Sequence, residues 1–176
     1  MMKKRGVTRR KWLLTLHLLF SAILLGVSVI FLILSISAAT TNDEGVLQAC
    51  YTAMHLLAKT AVRYSTIGAA VTGILLSVLT PWGLFKHYWI MVKEGLTLLS
   101  IAIGPIGMYF WTLKAVTLAT AEGLQVVSNP DFTVNSGQLW TGIMLQLLSI
   151  AAMFVISVFK PWGKRKAKNL EDKSMI

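Results

Sequence analysis

The chain contains three histidines, and two of them are placed where they could act together as ligands. His17 lies five residues after Trp12, near the start of a long apolar run, and His87 opens a later apolar run. At 1.5 Å per helical residue, His17 would lie about 8 Å inside the edge of the first run. Imidazole nitrogens brought together on neighbouring helices can bind haem b or a copper ion. His17 and His87 therefore form the candidate cofactor site of this sequence.

A simpler interpretation of the histidines requires no cofactor. His17 would form a hydrogen bond with a neighbouring helix, and His87 would lie among the lipid headgroups. His55 is placed toward the opposite membrane surface, on the polar side of an amphipathic helix, far from the other two. Both interpretations depend on which helices pack together.

Other signatures of catalysis are missing from the sequence. It has no glycine-rich phosphate loop, and no serine, histidine and aspartate set in a recognisable context. Cys50 is the single cysteine, which excludes an internal disulfide and favours a small apolar residue on a helix face. Lys93 and Glu94 are expected to extend to the nearby surface, so no carboxylate is expected deep within an apolar run. We therefore expect neither an enzyme nor a proton-coupled carrier.

The elements that position these residues are expected to be membrane helices in a single domain. Hydrophobic residues make up 55% of the 176 residues, and the mean hydropathy is +0.66. Four apolar runs reach or approach the roughly 20 residues that cross a bilayer core. The expected spans cover about residues 12–39, 61–80, 88–120 and 138–159. The fold class predicted from them is all-α, a four-helix transmembrane bundle.

The net charge of +10 follows a membrane pattern rather than that of a nucleic-acid-binding protein. Basic residues cluster in residues 1–11, in the turn between the second and third spans, and in the tail, residues 160–176. The other two connections, residues 40–45 and 121–137, carry acidic residues and no basic ones. Because Lys and Arg collect in short cytoplasmic segments, we expect both termini and the central turn in the cytoplasm.

The second span carries a stripe of small residues. Ser65, Ala69, Gly73 and Ser77 recur at every fourth position. Small side chains allow two helix backbones to approach closely in a membrane. We expect this stripe to be a helix-packing surface, and one that could serve association with another protein.

The third and fourth spans contain further residues that affect packing. Pro105 lies between Gly104 and Gly107 near the middle of the third span, where it removes one backbone donor. A kink is expected there, and the two glycines are expected to pack against other helices. Gln146, in the middle of the fourth span, is expected to form an interhelical hydrogen bond.

A Pro-Trp-Gly sequence occurs twice at the expected cytoplasmic surface. Residues 77–83 match residues 157–163 at an offset of 80, which indicates two helical hairpins in tandem with the same orientation. Proline and glycine end a helix, and tryptophan collects at the bilayer interface. Trp82, Trp89 and Trp162 are therefore expected to be interfacial anchors.

The central segment TPWGLFKHYWIMVKEGLTLL and the first-span segment LHLLFSAILLG carry a family resemblance. Together they resemble small bacterial membrane proteins with four predicted spans, grouped under a domain of unknown function. The resemblance covers about residues 13–158. It implies a bacterial plasma-membrane location and the topology given above, and it brings no established activity.

A more distant resemblance concerns metal handling. Leu16 and His17, followed by Gly26, are similar to the start of the membrane domain of copper-resistance D proteins. Scattered methionines could serve as copper ligands if that resemblance holds: Met54, Met91, Met108, Met144 and Met153.

Three functions are compatible with these observations. The first is a non-enzymatic accessory or interaction protein, whose partners are the lipid bilayer and either a second copy of the chain or another membrane protein. The second is a redox or metal-handling protein that holds haem b or copper at His17 and His87. The third is a transporter or permease subunit, which the kink at Pro105 and the hairpin repeat suggest.

Overall fold

The chain folds into a bundle of long helices. The computed structural model describes residues 2–79 and 87–161. Within these residues, four helices are long and apolar enough to cross a membrane, which confirms the predicted all-α helical bundle. We call them the first to fourth spans, in chain order: Val7–Thr40, Glu44–Leu79, Tyr88–Ser128 and Pro130–Phe159.

Six α-helices build these spans within the described residues. They are α1 (Met2–Thr40), α2 (Glu44–Leu57), α3 (Arg63–Leu79), α4 (Tyr88–Ile101), α5 (Tyr109–Glu122) and α6 (Pro130–Phe159). The second span passes from α2 to α3 through a π-helical turn, Ala58–Val62. The third span passes from α4 to α5 through a second π-helical turn, Ala102–Met108, and it ends in a 3-10 turn, Gly123–Ser128.

Capping side chains explain where α2 and α6 begin. The side chain of Asp43 accepts a hydrogen bond from the backbone N–H of Val46 at 3.0 Å. The side chain of Asn129 accepts one from the backbone N–H of Asp131 at 2.9 Å, and Pro130 occupies the first turn of α6. Both caps satisfy donors that have no partner within the helix, and proline suits the first turn because its missing donor is not needed there.

The spans form a closed ring in which each packs against its two neighbours. The first span contacts the second and the fourth, and the third also contacts the second and the fourth. Each span contributes a fully buried side chain to the common core: Phe31, Met54, Met108 and Ile143. Aliphatic side chains cover the outside of the bundle, as expected for a surface that faces lipid tails.

The two connections within the hairpins lie at the same end of the bundle. The Gln48 side chain donates a hydrogen bond from the second span to the carbonyl of Ala119 in the third, at 3.3 Å. The Glu44 carboxylate lies beside Gly123, whose positive φ of 57° makes the turn after α5. The first and second hairpins therefore point in the same direction. Of the two Pro-Trp-Gly sequences only Pro161 is among the described residues, and the predicted anchors Trp82 and Trp162 lie outside them.

The stripe of small residues in the second span packs within the chain. Ser65 is buried, and Ala69, Gly73 and Ser77 are partly buried. The contact between α1 and α3 is the most extensive in the bundle, and His17 of α1 lies over Gly73. The stripe is therefore occupied by the first span and is not a free surface for association with another protein.

The glycines of the third span make room for side chains. A Cβ at Gly104 would lie 3.1 Å from Val62 of the second span. A Cβ at Gly107 would lie 2.7 Å from the ring of Trp111, one turn later, and the same ring fills the space at Gly142 of the fourth span. Pro105 lies inside the π-helical turn, so the helix accommodates the missing backbone donor by widening locally.

Candidate functional site in the bundle interior

His17 bridges the first and second spans. Its Nδ1 lies 3.0 Å from the carbonyl oxygen of Ala69 and 3.0 Å from the hydroxyl oxygen of Thr72. A carbonyl can only accept a hydrogen bond, and the Thr72 hydroxyl donates its own hydrogen to the carbonyl of Gly68 at 2.6 Å. Nδ1 must therefore carry the hydrogen. In the neutral ring, Nε2 is then the nitrogen with the free lone pair.

Gly73 allows this position of the imidazole. A Cβ at Gly73 would lie 3.2 Å from Cε1 of His17, closer than side chains normally pack. The stripe of small residues and His17 therefore pack against each other. This is the interhelical hydrogen bond that the simpler interpretation of His17 predicted.

Lys93 turns into the bundle instead of extending to the surface. Its Nζ donates a hydrogen bond to the Ser157 hydroxyl of the fourth span at 2.7 Å and lies 6.0 Å from the ring centroid of Trp89. The expectation that Lys93 reaches the membrane surface is therefore wrong, because a hydroxyl and an aromatic face inside the bundle hold its charge.

Trp89 also differs from its predicted position. Its side chain is only 6% exposed and packs against Ile90 and Ile156 in a small apolar cluster between the third and fourth spans. A ring buried inside the bundle cannot anchor the chain among headgroups. The prediction of an interfacial anchor is corrected for this tryptophan, because its ring packs with the fourth span and the Lys93 ammonium rather than with lipid.

His87 lies beside Trp89 at the start of the third span. His87 precedes the first turn of α4, and its ring centroid lies 6.2 Å from that of Trp89. The hydrogen bonds of His17 go instead to the second span. Among the described residues, no three His, Cys, Asp or Glu side chains lie together in a group that could hold a metal ion.

His55 repeats the arrangement of His17 in the other half of the bundle. Its Nδ1 lies 3.1 Å from the hydroxyl oxygen of Thr112, which donates its own hydrogen to the carbonyl of Met108 at 2.6 Å. Nδ1 of His55 is therefore also the donor. The ring packs against Tyr109 at a centroid distance of 5.2 Å. His55 thus joins the second and third spans, as His17 joins the first and second.

A cluster of unpartnered polar side chains lies near the centre of the bundle, and we call it the central polar cluster. It consists of Thr66 of the second span, Ser100 of the third and Gln146 of the fourth, whose side chains are 2%, 2% and 0% exposed. None of their side-chain oxygen or nitrogen atoms has a hydrogen-bond partner in the described structure. The interhelical hydrogen bond predicted for Gln146 is therefore not present in this part of the chain.

Contacts at Gly104 place Thr66 and Gln146 at one level, and Ser100 lies one helical turn, or about 5 Å, nearer the central turn. Gly104 lies between two of them, because a Cβ there would be 3.4 Å from the hydroxyl oxygen of Thr66 and 4.0 Å from Nε2 of Gln146. Ser100 precedes Gly104 by one turn on the same helix.

Sequence reasoning identified Gln146 and Gly104 but missed Thr66 and Ser100. Serine and threonine are common in membrane helices, where they normally donate to the carbonyl four residues earlier. Their spacing along one sequence does not reveal which hydroxyl departs from this habit. Comparison of the chain with protein-family models, curated proteins and solved structures gave no match.

Proposed function

We propose that this chain is an accessory or interaction protein of the bacterial plasma membrane, which acts without enzymatic chemistry by contacting another membrane protein. The orientation that we propose has both termini in the cytoplasm. It rests on the basic residues that flank the bundle at one end and on the acidic connections at the other.

The observation that carries this proposal concerns three glycines that the packing of the chain does not use. Gly26 of the first span, Gly95 of the third and Gly137 of the fourth are exposed. Among the described residues, nothing lies within 4 Å of a Cβ built at any of these positions. Glycine is about 1 kcal/mol less favourable than alanine within a helix, so an idle glycine has no intrinsic advantage.

Close approach of a second helix is what exposed glycines provide in membranes. Ala22 is exposed one turn before Gly26, so the two residues form a flat strip on the outside of the first span. A transmembrane helix of a partner can approach such a strip more closely than it could approach a surface of bulky side chains. The partner is either a second copy of the chain or a different membrane protein.

In-membrane photocross-linking tests the proposal. Benzoylphenylalanine in place of Ile30, an exposed residue one turn after Gly26, should give a discrete protein adduct, and this adduct should disappear with Gly26→Ile. The matched control places the same photocross-linker at exposed Leu148 of the fourth span, where no protein adduct is expected. An adduct of twice the chain mass identifies a second copy, and any other mass identifies a different protein. Lipid adducts alone at both positions would contradict the proposal.

The orientation has its own test. Alkaline phosphatase fused after residue 176 should be inactive, since this reporter folds only outside the cytoplasm, where its disulfides form. The same reporter inserted at residue 125, in the turn between the third and fourth spans, should be active. The reverse pattern would invert the proposed topology.

A second candidate function has a specific observation in its favour. Histidines that ligate a metal or a haem iron typically donate their other ring N–H to a carbonyl or carboxylate, which fixes the tautomer. His17 donates Nδ1–H to the carbonyl of Ala69, so its Nε2 lone pair would be available to haem or copper.

The absorption spectrum and metal content of the protein purified in mild detergent test this second function. A haem band or stoichiometric copper, lost in His17→Ala or His87→Ala and retained in His55→Ala, would support it. A colourless and metal-free protein after haem-replete expression would rule it out.

A further inference from the structure

The hydroxyls of the central polar cluster do not follow the behaviour of other hydroxyls in this chain. Helical serines and threonines here usually donate to the carbonyl four residues earlier, as Ser65, Thr72 and Thr112 do. Thr66 and Ser100 do not, although both are buried within helices of the same kind. Their hydroxyls therefore keep both donor and acceptor capacity for a partner in the bundle interior.

Gln146 adds an amide to the same cluster. Its Oε1 and Nε2 both lack a partner, although the side chain is fully buried. Buried polar atoms in proteins almost always have a hydrogen-bond partner, either from the protein or from a bound molecule. These side chains come from three spans and lie within one helical turn of Gly104, so they indicate a shared partner rather than three separate defects.

The backbone next to the cluster departs from a regular α-helix. Pro105 has no N–H, and it lies inside a π-helical turn. The π-helical turn Ala102–Met108 widens the third span at this level, and π-turns are frequently found at functional sites. Gly104 contributes no side chain, which lets Thr66 and Gln146 lie close to its backbone.

We propose that Thr66, Ser100 and Gln146 form a buried binding site for a small uncharged molecule that both donates and accepts hydrogen bonds. The members of the site supply hydroxyl and amide donors and hydroxyl and amide acceptors, and none of them carries a charge. Water is the smallest molecule with this chemistry, and a small amide such as acetamide has the same chemistry. The site is independent of the partner-binding function proposed above, because it lies inside the bundle and not on its lipid-facing surface.

The sign of a stability change tests whether the site is occupied. Thr66→Val, Ser100→Ala and Gln146→Leu each remove polar atoms with little change of shape. If a molecule binds these atoms, each variant should lower the melting temperature in detergent by about 3–6 °C. The double variant T66V/Q146L should lose less than the sum of the two single changes, since the bound molecule is lost only once. The control Thr141→Val, at an exposed position whose hydroxyl donates to its own helix, should change little.

Two further measurements identify the occupant. Brief X-ray radiolysis in H2(18)O should place ¹⁸O on buried Val62, next to Gly104, if water is bound, and the label should be absent in the triple variant. Acetamide should raise the melting temperature of the wild type but not of the triple variant if the site takes a small amide. If one variant does not fold, the other two still show whether the melting temperature falls or rises. Unchanged or raised melting temperatures, with no ¹⁸O at Val62 and no response to acetamide, would overturn the proposal.

Discussion

Nδ1 of His17 and the hydroxyl oxygen of Thr72 lie 3.0 Å apart across the contact between α1 and α3. The equivalent distance between His55 and Thr112 is 3.1 Å, across the contact between α2 and α5. In both pairs the threonine donates its hydrogen to a carbonyl four residues earlier, so it can only accept from the imidazole. The two pairs therefore fix the same tautomer in two halves of the bundle.

This geometry predicts the protonation of each ring. At a pH where the rings are neutral, ¹⁵N NMR of histidine-labelled protein should show Nδ1–H and an unprotonated Nε2 for His17 and for His55. Thr72→Val should keep the tautomer of His17, because the Ala69 carbonyl remains, and should lower the free energy of unfolding by about 1 kcal/mol. Thr112→Val serves as the matched control and should alter the signals of His55 alone. An Nε2–H tautomer at His17 would contradict the assignment.

Gly73→Leu is expected to separate the first and second spans locally. A side chain at this position would enter the space that the His17 ring occupies, so the free energy of unfolding should fall by about 2 kcal/mol. Gly26→Leu, on the exposed side of the first span, should cost far less. Adding His17→Ala to Gly73→Leu should restore part of the loss. Equal effects at positions 73 and 26 would show that the stripe does not pack as described.

The fourth span offers a matched pair of glycines. Gly142→Ala should destabilise the protein by about 1–3 kcal/mol, because its Cβ would overlap the ring of Trp111, which also packs closely against Gly107. Gly137→Ala, with nothing within 4 Å, should be neutral or should stabilise the helix by up to about 1 kcal/mol. Denaturation in mixed detergent measures both. Similar free energies for the two variants would mean that Trp111 can move aside.

Lys93→Met tests whether the ammonium of Lys93, which packs between helices, lowers the free energy of unfolding. Among the described residues, Lys93 has the Ser157 hydroxyl and the Trp89 ring as partners, and no carboxylate lies within ion-pair distance of it. Burying a charge with so few partners is unfavourable, so the methionine should raise the free energy of unfolding by about 1 kcal/mol. Ser157→Ala should destabilise the wild type but not the Lys93→Met variant. A clear loss of stability in Lys93→Met would point to an additional anionic partner.

The architecture was accessible from the sequence because hydrophobic run length sets it almost alone. The apolar runs around His17 and Gln146, and the small residues at Gly73 and Gly104, required only the dimensions of a bilayer and the steric needs of packed helices. Side-chain direction was not accessible in the same way. By residue type, Trp89 and Lys93 would suit the bilayer interface. Both instead pack against the fourth span, whose position these residue types do not indicate.

The polar interior was still harder to predict. Gln146 was recognised as unusual, yet its expected partner is not there, because the nearest helix at that level presents Gly104. Thr66 and Ser100 resemble every other membrane serine or threonine in sequence. No local sequence period indicates which hydroxyl departs from self-bonding, nor where the π-helical turns Ala58–Val62 and Ala102–Met108 occur.

The length of the helices has a consequence for the aqueous side of the protein. The second span contains 36 residues, and the third runs for 35 residues, 14, 7 and 14 in its three parts, before the turn at Gly123. These lengths are about 54 and 52 Å at 1.5 Å per residue, against a hydrocarbon core about 30 Å thick, so about 20 Å of each helix lies in headgroups and water when the bundle is upright. At the end that carries the two hairpin turns, the hydrogen bond from Gln48 to Ala119 joins the second and third spans. This end therefore projects as a rigid extension of the bundle rather than as separate loops. A soluble protein domain could bind this projecting end without contacting lipid. Any tilt of the bundle would then move the bound domain directly.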